Sequence, residues 1–255
     1  MRRAAQGGWP EAPHVLATLY LFGLPVAVES DRFDLSDVAQ AVTGEPDYGK
    51  AAHWAALAAR DGSAEAQALY GYILSTGPEE LRNPEEALVW YGRAARAGCA
   101  QGDLGLGMAG IRSATSPEER ATAIAHLEKA AQDGIGSALY LMGVLYERGA
   151  GVPTDPTKAA DCYGKAAEQN IRAAQARYGV ALLAGRGVPE DPVRGETWLR
   201  RAALGGDREA AALLGDIHAG YGTLAPNYLE AANWYRLAAD RAPATAARAL
   251  GLLYL

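Results

Sequence analysis

The 255-residue chain is poor in sulfur, in lysine and in aromatic bulk. It holds two cysteines, four histidines and two phenylalanines, and its formal net charge is −6 with a pI near 5.3. Cys99 and Cys162 are too few for a disulfide framework and form no C-x-x-C pair for a metal or redox centre, so two packed thiols are expected. The shortage of positive charge argues against nucleic acid, which is gripped mainly by basic surfaces, and against an anionic membrane surface. No apolar run approaches the ~18 residues of a transmembrane helix, so no direct membrane insertion is expected. The apolar stretch Val15–Val28 follows Arg2 and Arg3 as a signal peptide would, but Pro10 and Pro13 interrupt its approach and Gly23 and Pro25 break it.

Catalytic signatures are missing too. There is no P-loop, G-x-S-x-G or H-E-x-x-H. His14 and His53 have no carboxylate or thiol at a spacing that suggests a ligand set or an activated nucleophile. Gly105, Gly107 and Gly110 match G-x-G-x-x-G, but a dinucleotide site needs a strand before the glycines and a helix N-terminus after them, and these residues read as the inside of a helix. No catalytic residue, no metal and no cofactor are therefore expected.

What the chain has is small residues in strict register. Gly71, Gly107, Gly143, Gly179, Gly215 and Gly251 recur every 36 residues without a slip. A second column is an alanine pair, from Ala58-Ala59 through Ala94-Ala95 to Ala238-Ala239. A third holds Trp54, Trp90, His126, Cys162, Trp198 and Trp234. Such a period marks a repeat architecture. Each unit reads as two helices. The first carries the glycine, which costs about 1 kcal/mol relative to alanine in a helix, so its recurrence implies a close helix–helix approach. Glycines as in Gly149–Val152 and Gly185–Val188 suit a left-handed helix end. The second helix opens on a cap: Asp155-Pro156 and Asp191-Pro192 place an acid before a proline at the first helical position. Asn83 with Glu86, Ser116 with Glu119 and Asn227 with Glu230 have capping-box spacing. It closes at Gly98, Gly134 and Gly206, with Asn170 in the equivalent place.

These residues resemble the Sel-one-like repeat (SLR) family, relatives of the tetratricopeptide repeats. The best copy runs from Ala138 to Asn170, with Gly143, Tyr146, Gly149, Gly151, Val152, Asp155, Lys158, Ala159, Tyr163, Lys165, Ala166 and Ala167 on the family pattern and departures at Met142, Cys162 and Asn170. The resemblance implies an all-α fold, a right-handed α/α superhelical solenoid of antiparallel helix pairs, used as a scaffold or adaptor for protein partners. Members with a disulfide in every repeat are associated with β-lactam binding; the repeated cysteine pairs are absent here, so that role is not carried over.

The register gives a single solenoid domain over 1–255: a partial helix at 1–8, a repeat with an insertion at 9–62, repeats at 63–98, 99–134, 135–170, 171–206 and 207–242, and a partial repeat at 243–255. Both ends fall inside repeats, so a segment of a longer protein is expected, with a complete short chain that packs these apolar ends against a partner or a second copy as the rival. The insertion lies within 27–46 and reads as either a functional element or a surface decoration. The unit from Cys99 to Gly134 diverges: Gly110 replaces an aromatic, and Ser116-Pro117 starts its second helix early. Arginine-heavy usage, 20 against 4 lysines, points to a high-GC bacterial genome.

Function is then expected on the face of the first helices, which line the groove in related repeats. Tyr72, Leu104, Met108, Tyr140 and Val144 would form an apolar floor, with Ile111 and Val180 also facing the groove and Arg112 and Arg148 anchoring a carboxylate of a bound protein or peptide. Tyr70, Leu106, Met142, Tyr178 and Leu214 would supply the helix–helix core. Burial of the groove columns by tight curvature is the competing expectation. A self-assembling structural solenoid and, further off, a cell-wall or β-lactam ligand binder or hydrolase are the alternatives.

Overall fold

The computed structural model describes residues 12–23, 45–221 and 226–239. Among these residues there are twelve α-helices and no strand. They are α1 Ala12–Leu21, α2 Tyr48–Arg60, α3 Ala64–Thr76, α4 Pro84–Arg96, α5 Ala100–Ser113, α6 Pro117–Gln132, α7 Gly136–Arg148, α8 Pro156–Glu168, α9 Arg172–Leu183, α10 Pro192–Leu204, α11 Arg208–Asp216 and α12 Tyr228–Ala239. A single π-helical turn, Ile217–Tyr221, follows α11. The chain forms two compact units, dividing between Asp133 and Gly134. In each unit every first helix packs on its own second helix, and each second helix on the next first one. The insertion and both partial repeats lie largely or wholly outside the described residues.

Local chemistry explains the helix ends. Asp155 and Asp191 accept the backbone N–H of Lys158 and Arg194 at 3.0 Å, each with proline next in the chain. Ser116 and Glu119 close a full capping box. Asn83 and Asn227 cap with the side chain alone: Glu86 turns to the Trp90 indole instead, and Glu230 turns to Arg200. The second helices end left-handed, with φ of 84° at Gly98, 82° at Gly134 and 93° at Gly206; Asn170 takes the same conformation at 62°.

One backbone bond recurs in nearly every repeat. The N-cap N–H of the second helix donates back to the end of the first: Asn83 to Leu74, Asp155 to Tyr146, Asp191 to Leu182 and Asn227 to His218, at 2.8–3.0 Å. Asp47 donates in the same way to Tyr20 at 2.9 Å, so the repeat carrying the insertion closes as an ordinary one does. In the divergent repeat the N-cap N–H, that of Ser116, donates instead to the Glu119 carboxylate of its own capping box.

The glycine column has a specific cause. Each of the five described glycines of the column, Gly71 to Gly215, faces one side chain of the second helix in its own repeat: Tyr91, Leu127, Tyr163, Leu199 and Tyr235. A Cβ on Gly143 would stand 2.6 Å from the Tyr163 ring, and one on Gly107 2.5 Å from Leu127. The dinucleotide-like triplet is explained in the same way, since Gly105 meets Tyr91, Gly107 meets Leu127 and Gly110 meets Ala123 inside α5. The alanine pairs are buried beneath, with Ala131 and Ala239 only partly so. Of the expected core residues, Met142 and Leu214 are fully buried. Tyr70, Leu106 and Tyr178 are half-buried, because Tyr70 and Tyr178 lie edge-on against Trp90 and Trp198 near the surface.

Candidate functional site

In the first unit, α3 and α5 carry the expected groove residues. Tyr72 is 47% exposed and Met108 40% exposed; Arg112 is also exposed, while Leu104 and Ile111 are half-buried. The pattern follows from the glycine contact: with Gly71 and Gly107 turned onto α4 and α6, the next residue along each helix is carried away from the core. Tyr91 links this face to the interior. Its ring lies against Gly71 and Gly105, and its hydroxyl reaches Ser75 at 2.9 Å. Burial pushes the phenol above the ordinary tyrosine range, and Arg112 and Tyr72 act on it electrostatically. Arg112 makes no ion pair among the described residues, so this face offers an uncommitted cation beside two phenols and a thioether.

The second unit has a cleft of about 570 Å³ between its helix pairs, with Tyr140 and Val180 on its wall. Val144 is half-buried and Arg148 exposed, and neither lines the cleft. Sequence reasoning missed most of the cleft's polar groups. Glu147 accepts from the Tyr163 hydroxyl at 2.7 Å and from Arg177 Nη1 at 2.8 Å, and Arg186, Asp207 and Glu209 also line the cleft. Burial and the Glu147 bond hold the Tyr163 phenol well above its usual range. A signal for Arg177 existed: it stands in a column otherwise filled by Leu69, Gly105, Leu141 and Leu213. The first unit thus presents a free guanidinium, and the second a self-neutralised pair. None of the nine residues is buried.

Two histidines at positions held by aromatic residues in other repeats, His126 and His218, carry polar partners. His126 Nδ1 lies 2.8 Å from Asp103, whose other oxygen accepts from Lys129 at 2.6 Å. Asp103 is only 1% exposed and occupies a column held elsewhere by Gln67, Leu139, Gln175 and Ala211. His218, in the tyrosine column, is buried and meets Glu196, Glu230 and Arg200. These residues come from three separate elements, which a periodic reading does not join. Both cysteines are free; Cys99 is buried, and burial raises the Cys162 thiol, as packed thiols require. No described helix is long and apolar enough to cross a membrane.

Several solved structures share the fold. A protective antigen present in uropathogenic Escherichia coli strains, displaying an SLR fold, is 26% identical with a TM-score of 0.75 over 99% of this chain and 50% of its own. The chain therefore spans about half the length of that antigen. A Sel1 repeat protein from Oxalobacter formigenes is 25% identical with a TM-score of 0.71, over 91% of this chain and 88% of its own. An immunity protein from Pseudomonas aeruginosa, at 17% identity and a TM-score of 0.53 over 91% and 81% of the two chains, shares the fold. No curated protein matches the chain. The Sel1 repeat sequence model matches residues 43–63, 64–99, 105–135, 136–171, 172–207 and 208–242. With those segments covering most of its length, the chain belongs to the Sel1 repeat family, whose members serve generally as protein–protein interaction scaffolds.

Proposed function

We propose that the chain is a non-enzymatic adaptor that binds a peptide segment of a partner protein on the exposed face of its first helices. The observation that carries this reading is the exposure of Tyr72 and Met108 beside the unpaired Arg112. A soluble repeat array gains nothing in stability from leaving a tyrosine and a methionine half open to water. Aromatic, Met and Arg residues are the types enriched at protein interfaces and their energetic centres. Leu104 and Ile111 extend the apolar surface of the first unit, and Tyr140, Val144 and Val180 supply the corresponding positions of the second. Arg112 and Arg148 anchor an acidic group of the partner.

The test compares the wild-type chain with the double variant Met108→Glu, Tyr140→Glu as baits for the same lysate, quantified by mass spectrometry. A specific partner enriched by the wild type and lost by a variant of unchanged circular dichroism supports the reading. A partner retained equally by both overturns it.

A further inference from the structure

We propose that Glu196, His218 and Glu230 form a binding site for one divalent transition-metal ion of the zinc class, a site whose cation position is held by the Arg200 guanidinium when no metal is bound. The proposal rests on where three lone pairs point. His218 Nε2 lies 3.1 Å from Glu196 Oε1 and 3.0 Å from Glu230 Oε2, and all three atoms fall within 4.8 Å of one another. Ligand bonds to zinc are about 2.0–2.2 Å, so donors sharing one ion sit roughly 3–3.5 Å apart. A single nitrogen, Arg200 Nη2, is their common neighbour: it is 2.6 Å from Glu196 Oε1 and 3.2 Å from His218 Nε2, and it also bonds Glu230 Oε2. The arginine nitrogen stands where an ion would stand.

The tautomer of His218 decides what the cluster can hold. If Nε2 carries a proton, its N–H donates to the facing Glu196 and Glu230 oxygens. If it does not, its lone pair faces two carboxylate oxygens and has one shared donor. His218 is 6% exposed, and Nδ1 has no hydrogen-bond partner among the described residues, so the ring's polar contacts are made through Nε2 alone. A divalent ion suits the form with Nε2 unprotonated, because three acceptors converging on one cation is what a neutral imidazole and two carboxylates require. One imidazole and two carboxylates suit zinc or a neighbouring first-row ion, whereas magnesium and calcium prefer all-oxygen shells.

The elements around the site allow the exchange. His218 sits on the π-helical turn, a distortion that recurs at functional sites. Glu196 and Arg200 are one turn apart on α10, and Glu230 lies in the first turn of α12. Arg200 is attached at the rim, its side chain 35% exposed and its guanidinium 5.2 Å from the Trp234 ring, so it leaves the cluster by a rotamer change alone.

The test is calorimetric titration of Zn²⁺ into the untagged, chelator-stripped chain. One equivalent is expected to bind, weakened about tenfold or more in His218→Ala and in Glu196→Gln. In Arg200→Met, where the competing guanidinium is gone, binding should be about tenfold tighter. If His218→Ala unfolds by circular dichroism, Glu196→Gln carries the decision. The proposal is overturned by no Zn²⁺ binding to the wild type, by Mg²⁺ binding as tightly as Zn²⁺, or by Zn²⁺ binding that neither ligand variant weakens.

Discussion

Replacing Gly143 by alanine sets two effects of known size against each other. Inside a helix the change normally gains about 1 kcal/mol, and Gly143 has ordinary helical φ, so no backbone strain alters that gain. The added methyl, however, stands 2.6 Å from the Tyr163 ring. The ring is 3% exposed and its hydroxyl is held by Glu147, which prevents it from swinging aside. Overpacking of this kind costs about 1–3 kcal/mol, and with the ring pinned the cost belongs near the upper end. The expected outcome is a net loss of about 1–2 kcal/mol. In a Tyr163→Ala background the space is empty, and the same methyl should stabilise by about 1 kcal/mol. The double-mutant cycle therefore predicts a coupling of about 2–3 kcal/mol, read from urea midpoints and from hydrogen exchange at the amides of α7 and α8. If Gly143→Ala stabilises both backgrounds alike, the close-approach account of the glycine column is refuted.

Three further outcomes follow from other contacts. The folded pKa of Tyr163 is raised above its unfolded value, so its contribution is fully present below about pH 10 and is lost as pH rises further; a tyrosinate absorbance titration should show one late phenol that Tyr163→Phe removes. At the buried Asp103, substitution by Asn should cost about 1–3 kcal/mol, because the amide keeps a single acceptor for Lys129 and His126 and buries an NH2 group in place of the second oxygen. Asp103→Leu, which copies Leu139 in the next repeat, should fall within about 1 kcal/mol of wild type; thermal melts of both variants check the pair. Asp155→Ala removes the bond to Lys158 N–H and should cost about 1 kcal/mol, measured as a shift in the urea midpoint.

Periodicity made the helix pairs, the caps and the left-handed ends legible. Each is set by residues close in sequence, and six copies of the unit average out the exceptions. Asn170 in the place of glycine was readable because asparagine tolerates positive φ. Partners on different helices were much less visible. The register placed Gly143 and Tyr163 in separate columns, but only the packing shows that one exists for the other. His126 and His218 looked like substitutes for aromatic residues, yet each is joined to carboxylates more than twenty residues away. Arg177 in a leucine column was the sequence signal of the Glu147–Arg177 pair. The groove residues lay between these extremes, since helical spacing places Tyr72 and Met108 beside the packed glycines but does not say how far they open to water.

The direct measurement of the central claim is partner affinity for the wild-type chain against Met108→Glu with Tyr140→Glu, both verified as folded by circular dichroism. Each of these substitutions places a carboxylate where apolar contact is proposed, and burying an unpaired charge in an interface costs several kcal/mol. The account predicts binding weakened by about a hundredfold or more. Affinity unchanged in the double variant would contradict it and move the partner surface off the first helices.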